Sequence, residues 1–66
     1  MFEYVLHRVK FIRGKAYEDD EFEPIAYDSL DAALIGQGFN EVSDSINNIK
    51  NRHYYVEHRI KLDYEV

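Results

Sequence analysis

The chain has 66 residues, a net charge of −5, no cysteine, six Tyr and four Phe. That length holds one domain, residues 1–66, near the lower limit at which a single core sustains a fold, and the missing cysteines exclude disulfides and thiolate metal sites. No apolar run approaches the ~20 residues of a membrane span and no signal-peptide pattern follows Met1, so a cytoplasmic chain without membrane contact is expected.

Charge is unevenly placed. No Lys or Arg falls between Ala16 and Ile49, whereas Glu18, Asp19, Asp20, Glu21, Glu23, Asp28, Asp31, Glu41 and Asp44 do. An acidic middle bracketed by mildly basic ends bears on partners rather than on fold.

Phe2 to Ile12 alternates apolar and polar residues with period two and predicts a strand, with Val5, His7, Val9 and Phe11 on one face and Tyr4, Leu6, Arg8 and Lys10 on the other. Arg13-Gly14-Lys15 signals a turn. An acidic loop follows at 18–21, then a short edge strand over 22–27 that Pro24 keeps out of a sheet interior. Asp28 and Asp31 are placed to cap and favour the start of a helix, with Ala32 to Ile35 continuing it and Gly36 ending it. Asn40 would cap a second helix, with Val42, Ile46 and Ile49 on one face, ending near Lys50. His53 to Val66 alternates without a break and predicts the last strand.

The first and last strands share a repeat. Tyr4-Val5-Leu6-His7-Arg8-Val9-Lys10-Phe11 returns as Tyr55-Val56-Glu57-His58-Arg59-Ile60-Lys61-Leu62. An antiparallel match with His7 opposite His58 would set Arg8 against Glu57, Lys10 against Tyr55, Tyr4 against Lys61 and Phe11 against Tyr54, which charge favours over a parallel match. The expected architecture is therefore α+β: an antiparallel sheet of about three strands, with the N- and C-terminal strands adjacent and two short helices on one face. Val5, Val9, Phe11, Val56, Ile60 and Leu62 are expected to meet Leu34, Val42, Ile46 and Ile49 in the core.

Three constellations could carry function. The acidic–aromatic stretch Tyr17, Glu18, Asp19, Asp20, Glu21, Phe22 and Glu23, with Tyr27, Asp28 and Asp31, has carboxylates and rings suited to a basic protein surface that ordinarily holds phosphates. Its plainer reading is a solvated loop that keeps an edge strand soluble. Tyr4, Arg8, Lys10, Tyr55, Arg59 and Lys61 would form a basic–aromatic face for single-stranded nucleic acid, which Glu57 and the net acidity oppose. The plainer reading there is an exposed strand face with cross-strand ion pairs. His7 and His58, if opposed, lack the third ligand a zinc site takes, and core-side histidines are more often simply hydrogen-bonded.

No nucleophile elbow, phosphate loop or calcium-loop rhythm occurs; Gly36-Gln37-Gly38 follows a helix instead of a strand. The expectation is a non-catalytic interaction protein without cofactor or metal, docking its acidic segment on a basic site of a nucleic-acid-handling enzyme and inhibiting or modulating it in the manner of a DNA mimic. A phage or mobile-element accessory role fits that style. Alternatives are a single-stranded nucleic-acid-binding module and a dimerising structural module, since self-association is a common remedy for a small core.

Overall fold

The computed structural model describes residues 1–61. It is an α+β fold with four strands and one helix: β1 (Phe2–Ile12), β2 (Lys15–Glu18), β3 (Ile25–Tyr27), α1 (Leu30–Ile46) and β4 (Arg52–Ile60). No helix among the described residues is long and apolar enough to cross a membrane.

β1 is the centre of the sheet. β4 pairs antiparallel along Phe2–Lys10, while β2 pairs with Val9–Ile12 and β3 with Tyr4–Leu6. A strand has two edges, so β2 and β3 lie end to end along the edge opposite β4, as one returning strand interrupted by residues 19–24. The terminal strands are adjacent, as expected. The strand at Lys15–Glu18 was not expected, and the expected edge strand over 22–27 shortens to Ile25–Tyr27. Arg13 (φ 53°) and Gly14 (φ 79°) make the tight turn between β1 and β2, both left-handed as the twist of a two-residue hairpin demands.

The register between the repeats differs from the charge-based expectation. Tyr4 opposes His58 and His7 opposes Tyr55, in place of His7 opposite His58. Both opposed pairs stack, Tyr4 on His58 with ring centroids 4.7 Å apart and planes at 7°, and Tyr55 on His7 at 4.7 Å and 9°. The Tyr-x-x-His spacing in each repeat makes this the one antiparallel register in which each copy's tyrosine meets the other's histidine. Glu3 and Arg59 are then also opposed, with Arg59 Nε donating to Glu3 at 2.6 Å. Two ring stacks, each contributing about 0.5–1.5 kcal/mol, together with this ion pair outweigh the Arg8–Glu57 pair and the cation–aromatic pairs of the other register.

The register differs by three residues, an odd number, so β4 presents its opposite face relative to β1. Tyr54, Val56 and His58 therefore share a face with Arg8, Leu6 and Tyr4, and α1 packs on that face. The expected core is corrected accordingly. Val5 is buried on the face away from the helix, Leu6 is fully buried beneath it, and Leu34, Val42 and Ile46 are exposed. Leu62 and the expected continuation of the last strand through residues 62–66 lie outside the described residues.

One helix replaces the expected two. Ser29, rather than Asp28, is the N-cap, its hydroxyl accepting from Ala32 N–H at 3.1 Å. Gly36 does not end the helix. It is buried where a side chain would overlap the Tyr27 hydroxyl and ring, so the missing Cβ lets the helix close on β3. Asn40 sits inside the helix, donating its side-chain amide to Gly36 C=O at 2.7 Å. The true end carries the signature of a Schellman motif: Ile49 N–H donates to Asp44 C=O at 2.8 Å and Asn48 N–H to Ser45 C=O at 3.2 Å, with Asn48 left-handed at φ 60°.

Candidate interaction surface

Between helix and sheet the packing is mainly polar. Arg8 rises from the centre of β1 and is 8 % exposed. Its Nε donates to Asp19 at 2.7 Å and its Nη1 to Asp44 of α1 at 3.0 Å. Arg52 Nε donates to the same Asp19 oxygen at 2.7 Å, Glu21 N–H donates to the other at 3.1 Å, and the Tyr54 hydroxyl donates to Asp44 at 2.6 Å. The Arg8 guanidinium lies 5.1 Å from the Phe22 ring centroid, and Phe22 meets Tyr54 edge to face at 5.5 Å. Buried charges are tolerated when each has partners of opposite sign, and here two carboxylates and two guanidiniums satisfy one another.

The pKa directions follow from those contacts. Burial opposes the charge on Asp19, but the Glu21 N–H, Arg52 and Arg8 outweigh it and hold the carboxyl below the usual carboxylate range. Burial likewise opposes the Arg8 charge, and Tyr54 and Asp19 more than compensate, raising it. Burial and the bond to Asp44 push the Tyr54 phenol up.

This network fills the space that long apolar side chains of α1 would need. The helix meets the sheet through Ala33, Gly36 and Asp44, its buried residues. At 100° per residue those positions form one face, and Ile35, Phe39, Val42 and Ile46 fall on the far side. They are 62 %, 73 %, 59 % and 77 % exposed. Their spacing of four, three and four residues is the seam of a helix that packs on another helix. Ile35, Gly38, Phe39 and Val42 line a shallow, almost wholly apolar depression of about 320 Å³ along it. Large unpartnered apolar patches of this kind mark contact surfaces.

The acidic segment is divided by its own folding. Asp19 is turned inward and is 3 % exposed, Tyr27 packs under Gly36, and Phe22 belongs to the Arg8 network. Glu18 accepts from the Tyr55 hydroxyl at 2.5 Å, and that bond, with burial, pushes the phenol up to about 12. Asp20 accepts from Lys10 at 3.3 Å. Tyr17, Glu21, Glu23, Asp28 and Asp31 are exposed.

The six basic–aromatic residues do not share a face. Tyr4, Arg8 and Lys10 lie on the helix side, with Arg8 committed to its carboxylates, whereas Tyr55 and Arg59 lie on the other side and Lys61 follows the end of β4. His7 and His58 also point to opposite faces. His7 Nε2 is 2.8 Å from Glu57 Oε1. No cluster of three His, Asp or Glu among the described residues could hold a metal ion.

A helix stop at Gly36 separates Ile35 from Phe39 and Val42, and the apolar seam is hidden in a linear reading for that reason. Read without the break, residues 35–46 show the pattern at once. Comparison with family models, with curated proteins and with solved structures finds no match.

Proposed function

We propose that this chain is a non-catalytic interaction protein that acts by binding protein through the outward face of α1. The observation that carries the reading is the exposure of Ile35, Phe39, Val42 and Ile46 in seam spacing while the inner face of the same helix is made of small and polar residues. A helix normally turns its apolar stripe to its own core, and one that turns it to solvent presents it to something else.

The acidic residues that remain exposed, Asp28, Asp31, Glu21 and Glu23 among them, surround the helix start and the preceding loop. They suit a basic neighbour at that end, which is the narrower form we propose for the DNA-mimic reading. The continuous acidic strip it began from is interrupted where Asp19 turns inward.

A photo-crosslinking residue placed at Phe39 in living cells tests the proposal. A protein adduct that is absent when the same residue replaces Lys15, exposed on β2, supports it. No adduct beyond that control would remove it.

A further inference from the structure

Given that the outward face of α1 is a protein contact surface, we infer that its occupant is a second copy of this chain, bound as an antiparallel helix pair about a two-fold axis between Phe39 and Val42. The proposal rests on that reading of the surface and adds the identity of the partner.

The first argument is the core. The buried apolar residues among those described are Val5, Leu6 and Ala33. A chain with so little buried apolar area gains most from a partner present whenever the chain is, and its own copy meets that condition. The second is area. Ile35, Phe39, Val42 and Ile46 expose on the order of 500 Å² together, so two copies face to face bury at most about 1,000 Å² through these four residues, which reaches the scale of a specific interface.

Shape and charge point the same way. A two-fold interface must be self-complementary, and this one carries both a projecting ring, Phe39, and a depression over Gly38 beside it. In the antiparallel arrangement Ile35 meets the partner's Ile46, and Phe39 meets the partner's Val42. The seam carries no charge between Ile35 and Ile46, since Glu41 and Asp44 lie on the other side of the helix, so the net charge of −5 is kept from the contact. The Asp31 end of each helix then approaches the partner's Lys50, which follows the helix C-terminus, and the two helix dipoles oppose. A parallel pair would set Asp31 against its own copy.

Sedimentation equilibrium from about 1 to about 200 µM, spanning ordinary dimer affinities, tests the inference. The expected species has twice the 7.9 kDa chain mass. Phe39→Glu should weaken association at least ~100-fold while helical circular dichroism persists. Asp31→Lys should weaken it a few-fold, and Asp31→Lys with Lys50→Glu should restore it. If Phe39→Glu unfolds, the wild-type melting temperature decides: a rise with protein concentration supports the dimer, and a constant value overturns it.

Wild type at monomer mass throughout overturns the inference. In that case a Phe39 crosslink to a different polypeptide leaves the contact-surface reading standing. Monomer mass with binding to neutral lipid vesicles and no crosslink removes both.

Discussion

Tyr4 lies flat against His58, and the repeat returns the arrangement with Tyr55 against His7, so each copy of the Tyr-x-x-His pattern reads the other. The two stacks sit on opposite faces of one strand pair and pin its register from both sides. A double-mutant cycle of Tyr4→Ala and His58→Ala in urea denaturation should therefore give a coupling of about 0.5–1.5 kcal/mol. A coupling near zero would mean that this stack does not hold the register, leaving it to Tyr55–His7, Glu3–Arg59 and the backbone ladder.

Asp19 gives the fold a specific acid sensitivity. Its folded carboxyl is held below its ordinary value by the Glu21 N–H, Arg52 and Arg8, against the effect of burial. A depressed folded pKa contributes stability that is present above the unfolded value, near 4, and is lost as pH falls toward the folded one. Asp19→Asn should cost about 2–4 kcal/mol at pH 7, because Arg8 and Arg52 lose a charged partner. The gap to wild type should narrow steadily below about pH 4, followed by chemical denaturation at each pH. A gap constant with pH would show that the carboxylate charge is not what the site uses.

Much of the frame was legible in the residues. Strict alternation located β1 and β4, and the repeat placed them side by side. Their register was not, because a charge match worth tenths of a kcal/mol was set against ring stacks that only the spacing of Tyr and His reveals. The helix was misdivided for a similar reason. Gly36 carries a stop signal in a linear reading, yet the helix runs through it, and the reason for a glycine there is Tyr27, which approaches from a different element. Asp19 and Asp44 looked like surface acids, since nothing local in the chain announces that Arg8 will be buried between them. The candidate surface followed from that burial: once a charged network occupies the space over β1, the large apolar residues of α1 have only the outside left.

The two helical glycines should respond to alanine in opposite directions. Gly38 has nothing near the position a methyl would take, so Gly38→Ala should gain up to ~1 kcal/mol from helix propensity. Gly36→Ala gains the same propensity but drives a methyl into the Tyr27 ring, with an overpacking cost of about 1–3 kcal/mol. Thermal melts of both variants in the Phe39→Glu background, where the helices stay unpaired, check this. Equal shifts would mean that the Tyr27 ring moves aside freely.

Arg13 is a residue whose backbone and side chain disagree. It occupies the left-handed region at φ 53° as the first of two turn residues, with Gly14 at φ 79° as the second. A β-carbon in that region costs about 1–2 kcal/mol, less for asparagine, whose side chain bonds locally. Asn-Gly is the favoured pair for this turn, whose two central residues are both left-handed. Arg13→Asn should raise stability by about 0.5–1 kcal/mol, seen as a higher urea midpoint at unchanged slope. A lower midpoint would place the β1–β2 turn under a different constraint, with the guanidinium contributing through the local charge field rather than the backbone opposing it.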